Sequence, residues 1–250
     1  MLVRALWARE VASPWPVRIA GAVMVVNALL LIAHVLHRSA AALNPDGSRF
    51  PVFRSGALWN GGIDGSLMEF FGLLQLGAAA VLLLRAGVHE PAHRVLAAWG
   101  GVLLLLIADD LGRLHERVGA RLALGRLVPS LGATAAQELG GLVFWALSGL
   151  LLVGGLIRLH RASAPAARAE SWALLATVVP FVLVAVGYVL VRTLDPGLFD
   201  GPWGEVAALL RITVKLLTMT MLLVQALRIA TSHPWLHNPD AAIWRRNLRP

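Results

Sequence analysis

Six stretches of the chain are apolar for about the twenty residues that a bilayer-spanning helix needs. They run approximately over Val17–His37, Asp64–Leu84, Val95–Glu116, Ala135–Ile157, Ser171–Arg192 and Trp203–Ile229. The fourth is rich in glycine (Gly140, Gly141, Gly149, Gly154 and Gly155), and small residues let transmembrane helices approach closely. Pro180 removes a backbone donor within the fifth and should kink it. The pattern predicts one all-α domain over residues 1–250, a polytopic bundle of six transmembrane helices.

The connections set the orientation. With the N-terminus inside, eight arginines face outward (Arg38, Arg49, Arg54, Arg113, Arg117, Arg121, Arg126 and Arg192) and twelve face the cytoplasm, Arg211 being embedded. The positive-inside rule then places both termini in the cytoplasm. The long connections, Ser39–Gly62 and Arg117–Thr134, fall outside, and the second is an arginine-spaced amphipathic stretch suited to lying along headgroups. Trp15, Trp59, Trp203 and Trp235 mark helix ends, where interfacial anchoring is their expected role.

Composition agrees with a membrane protein. Hydrophobic residues make up 58% of the 250 and charged residues 14%, and the mean hydropathy is +0.71. The formal charge of +8 comes from arginines that flank apolar runs, so it reads as topology and not as a nucleic-acid surface. The absence of cysteine excludes disulfides, thiolate metal sites and cysteine nucleophiles. The arginine-rich, lysine-poor usage fits a bacterial inner membrane protein.

Chemistry is expected where charge enters the membrane, because a buried ionisable group costs roughly 2.5–3.5 kcal/mol on insertion scales and usually faces a bundle interior. The chain's one lysine, Lys215, and Arg211 lie inside the sixth apolar run, and Asp109, Asp110, Arg113, His115 and Glu116 lie in or at the end of the third. Counting 1.5 Å per residue, Glu69, Asp109, Asp110 and Arg211 sit roughly 7–12 Å below the outer boundary and Lys215 about 18 Å below it. His34, Glu138 and Glu205 lie within about one turn of the same boundary. One outward-facing polar site is the expectation. In a regular helix Asp109, Arg113 and Glu116 share a stripe and His115 points about 120° away from Asp109, with Gly112 as the place for a bend. Arg211, Lys215, Thr218 and Gln225 form a second stripe that must face protein or water.

Three functions compete for these residues. The first is a divalent metal site (Zn, Fe or Mn) built from Glu69, Asp110, His115, Glu116 and Glu138. There Asp109, Asp110, Glu116 and Lys215 would act in hydrolysis of a lipid-like or periplasmic substrate, and Arg211 or Lys215 would hold an anionic group. The second is a proton or ion path between the Asp109/Asp110 acids and the Arg211/Lys215 bases, extended by Asn27 and Gln75. The third is an accessory subunit, or a homo-oligomer, whose helices are registered by buried ion pairs.

Other patterns are weaker. His89/His93 and His233/His237 have ligand spacing, but Pro91 and Pro234 lie within the pairs, so solvated loop histidines are expected. Haem held by His34 or His37 with His115, or by His93 with His160, would be poorly enclosed at helix ends. The string Asp109-Asp110-x-x-x-x-His115-Glu116 resembles one found in bacterial multi-pass proteins and implies no particular activity. No Gly-x-Ser-x-Gly elbow is present.

Overall fold

The structure, a computed structural model, describes residues 15–43, 51–53, 55–122, 132–199 and 201–232. Eight α-helices make up the described chain: α1 (Trp15–Leu43), α2 (Gly56–Trp59), α3 (Leu67–His89), α4 (Arg94–Gly112), α5 (Leu114–Arg121), α6 (Ala133–Arg161), α7 (Pro165–Leu194) and α8 (Pro202–Ser232). All but α2 and α5 are long and apolar enough to cross a membrane. Trp235 and the pair His233/His237 lie outside the described residues.

The spans run further than the apolar runs alone. Helices continue through polar ends once their backbone is satisfied, so α7 begins at Pro165, a favourable first helical residue, and passes through Pro180. The start of α3 falls later than expected. Ser66 caps it by accepting from the Glu69 N–H at 3.3 Å, and the Glu69 carboxylate accepts from the Gly65 N–H. That is a Ser-x-x-Glu capping arrangement, so Asp64 stays in the preceding loop.

The third apolar run divides. Helix α4 ends at Gly112, Arg113 takes a left-handed conformation (φ 48°, ψ 45°), and α5 starts in a new direction. Left-handed backbone is unfavourable for a residue with a Cβ, but here two contacts hold it. The Arg113 N–H closes on the Asp109 carbonyl, and its Nε donates to Asp64 at 3.0 Å.

The centre of the bundle is an α3–α4 hairpin, with α8 along α3 and α7 against α8. Leu76, Ala79, Ala80, Leu83, Leu96, Leu103, Leu174, Leu222 and Ala226 interlock there, each at most 3% exposed. Helix α1 packs on α8 and α3, and α6 on α4, α5 and α7. Close approach of α5 to α6 depends on glycine, since a methyl on Gly140 would sit 2.6 Å from the Gly119 Cα. At the opposite end from the start of α3, Trp99 Nε1 donates to Ser171 at 2.9 Å and the Ala164 N–H to the Ala92 carbonyl at 2.8 Å, tying the α3–α4 and α6–α7 connections together.

Candidate functional site

Charged side chains from separate helices meet in the half of the bundle that holds the starts of α3 and α8, and they meet as small groups and not as one pool. Lys215 on α8 donates to Asp110 Oδ2 on α4 at 2.9 Å, and its Nζ lies 4.0 Å from Glu69 Oε1 on α3. These three side chains are mostly buried. A turn and more below them, Asn27 (α1), Gln75 (α3) and Thr220 (α8) form a second layer. Asn27 donates to the Thr220 hydroxyl at 2.7 Å, and that hydroxyl lies 2.8 Å from Gln75 Oε1 and 3.0 Å from the Leu216 carbonyl. All three are 2–3% exposed.

Asp109 points the other way from Asp110, toward the helix break. Its Oδ1 accepts from the His115 backbone N–H and its Oδ2 pairs with His115 Nδ1, both at 2.8 Å. One carboxylate thereby satisfies an orphan N–H at the start of α5 and orients the imidazole. The regular-helix expectation that His115 would point away from Asp109, and that Asp109, Arg113 and Glu116 would share a stripe, is overturned by the left-handed turn. The hydrogen bond to Asp109 raises the His115 pKa; burial opposes this, and the charges of Asp109, Glu116 and Asp110 add to it. Glu116 makes no ion pair among the described residues.

The residues expected to ligate a metal are therefore distributed. Glu69 and Asp110 share Lys215, His115 has Asp109, and Glu138 pairs with Arg192 at 3.3 Å. Among the described residues no three His, Asp or Glu side chains are gathered in a group able to hold a metal ion. The histidines expected to flank a haem have separate partners as well: His37 Nδ1 lies 2.6 Å from the Phe53 carbonyl, and His160 packs edge-on against Trp172. His93, expected to be solvated, is buried, because the 3₁₀ turn Pro91–His93 folds it back within 3.3 Å of Glu90.

Beside these pairs, a cavity of about 620 Å³ opens among the C-terminal ends of α1 and α7, the N-terminal ends of α6 and α8, and the loop before α3. Its walls carry His34 and Arg38 from α1, Glu138 from α6, Tyr188 and Arg192 from α7, and Glu205, Ala208 and Arg211 from α8. Glu69, Asp110 and Lys215 do not line it. Arg38 and Glu205 pair through two contacts, one of them Nε to Oε2 at 3.1 Å. The Arg211 guanidinium lies 4.5 Å above the ring of Tyr188, the only tyrosine in the chain. The α8 stripe faces protein as expected, with Lys215 toward α4 and Gln225 bonded to Thr177 of α7 at 2.6 Å.

The sequence led one to expect a polar cavity, but read Arg38 and Arg192 as topology markers where the structure places both in its wall. The available signal was the shared boundary depth of His34, Glu138 and Glu205. Comparison of the chain with known protein families, characterised proteins and solved structures gave no match, so the functional argument rests on this geometry.

Proposed function

We propose that this chain is a multi-pass protein of a bacterial cytoplasmic membrane, with both termini inside, that receives a ligand from the periplasmic face into the cavity between α1, α6, α7 and α8. The cavity carries the reading: about 620 Å³ is within the size range of small-molecule sites, and its charged wall suits a polar ligand. Binding stands ahead of metal-dependent hydrolysis, because Glu69, Asp110, Glu138 and His115 are occupied in ion pairs and no three His, Asp or Glu side chains gather among the described residues. It stands ahead of conduction, because the inner halves of α3, α4 and α8 interlock as a dry apolar layer. The buried pairs act as registration, holding α3, α4 and α8 so that the cavity keeps its shape.

The absence of cysteine makes a direct test available. Ala208→Cys places one thiol at the cavity wall. It is expected to react with a membrane-impermeant maleimide added to intact spheroplasts, and a ligand in the cavity is expected to slow that reaction. Labelling only in inverted membranes would refute the proposed orientation.

A further inference from the structure

The cavity wall carries three guanidinium groups, those of Arg38, Arg192 and Arg211, against two carboxylates, Glu138 and Glu205. Two of the guanidiniums are matched, Arg38 by Glu205 and Arg192 by Glu138. Arg211 is left on the face of Tyr188 with no carboxylate partner among the described residues. A ring supports the flat face of a guanidinium and leaves its edge N–H donors free. Nine residues of helix separate Arg211 from Pro202, about 13 Å along the axis. An intramembrane cation at that depth usually faces the bundle interior or a water-filled cavity and marks a ligand site, and Arg211 faces this cavity.

We infer that the ligand carries one negative charge on an oxyanion, such as a phosphodiester or carboxylate, and that Arg211, braced by Tyr188, anchors it through paired N–H donors. This rests on the cavity being the binding site. The single charge follows from the count: one guanidinium is in excess, and a second negative charge would have to displace Glu138 or Glu205 from its arginine. The volume is far more than a bare oxyanion fills, so the charged group belongs to a larger molecule. A lipid headgroup and a free solute present the same chemistry.

The experiment follows maleimide labelling of Ala208→Cys in detergent-purified protein with three probes. These are dihexanoylphosphatidylglycerol (an anionic amphiphile), glycerophosphoglycerol (its soluble headgroup) and dihexanoylglycerol (neutral). The amphiphile is expected to protect the thiol and the neutral glycerol ester to leave it reactive. Protection by the soluble headgroup as well identifies a solute-type ligand; its failure identifies an amphiphile. Adding Arg211→Gln should raise the half-protecting concentration about tenfold or more, the scale of a lost charge-assisted hydrogen bond. Arg211→Lys should raise it less. Tyr188→Leu should weaken protection and Tyr188→Phe preserve it, which separates ring support from the hydroxyl. Equal protection by the neutral glycerol ester, or protection indifferent to Arg211→Gln and Tyr188→Leu, overturns the inference while leaving a ligand cavity in place. A thiol unreactive from outside in spheroplasts overturns both.

Discussion

Lys215→Met is the sharpest test of what the buried charges do. Lys215 Nζ stands 2.9 Å from Asp110 and 4.0 Å from Glu69. With an effective dielectric constant of 20, those distances correspond to about 6 and about 4 kcal/mol of attraction. Most of this is offset by the cost of bringing the ions out of water, and the lysine is 30% exposed, which screens it further. What the substitution measures is the cost of leaving two carboxylates facing each other in a low-dielectric layer, about 3 kcal/mol by analogy with broken buried pairs. For a chain of this size that is a fall of about 6–12 °C in melting temperature. The double variant Lys215→Met/Asp110→Asn removes one carboxylate along with the ammonium, and Glu69 keeps its Gly65 N–H, so it should recover at least half of the loss. Thermal unfolding of the purified protein in one detergent at one pH reads both. A single variant melting within 2 °C of the parent, or a double variant no better than the single, would refute registration by this triad.

Two further predictions bear on other layers. Thr220→Val keeps the shape of the side chain but removes two cross-helix hydrogen bonds, each about 0.6–1.7 kcal/mol in a membrane. It should cost about 1–3 kcal/mol in detergent unfolding, whereas Thr220→Ser should cost less than half of that; equal losses would show that packing and not the hydroxyl matters there. His115 has its pKa raised in the folded state, first by the hydrogen bond to Asp109. Its contribution to docking of α5 is thus fully present below the unfolded value of about 6.5 and is lost as pH rises through the folded value. Amide exchange in α5 should accelerate over that upper range, and Asp109→Asn should flatten the dependence and lower the imidazole midpoint seen by NMR; unchanged midpoints would contradict the pairing.

The six spans were legible because length and apolarity alone specify a membrane helix, and the meeting of Glu69, Asp110 and Lys215 was legible because burying ions singly is so unfavourable. The break at Arg113 was not. Gly112 marked a place for a bend, but the turn is taken by the next residue, and what stabilises it is Asp64, far away in sequence. The fate of Asp109 was hidden for the same reason, since a helical wheel assumes the helix continues. Ser66-x-x-Glu69 was readable as a capping box and shows why Glu69 serves two purposes, helix start and partner of Lys215. A polar cavity was expected from the sequence, but its walls were not: they come from Arg38, Tyr188 and Arg192 at helix ends, while Glu69, Asp110 and Lys215 lie outside it.

Polarity along α8 bears on the choice between the proposed binding cavity and a path through the bundle. From Arg211 through Lys215 to Thr220 the helix carries a polar group at nearly every turn, and Arg211, Lys215 and Thr220 have partners on α7, on α4 and α3, and on α1 and α3. Below Thr220 the inward residues are Leu222, Leu223, Ala226 and Ile229, facing Leu76, Ala79, Ala80 and Leu83 of α3 and Leu96 and Leu103 of α4. Gln225 does not continue the chain of polar groups, since it turns to Thr177 on α7. Thr220 to Ser232 is about 18 Å of helix, and between α3, α4 and α8 a proton or ion crossing it would meet the interlocked apolar side chains of this layer. A path through the membrane would need that layer to open by separating α3, α4 and α8, the helices with the best-buried contacts in the bundle. Binding in the proposed cavity needs no such opening, because the cavity already reaches Arg211 while the pairs beside it stay closed.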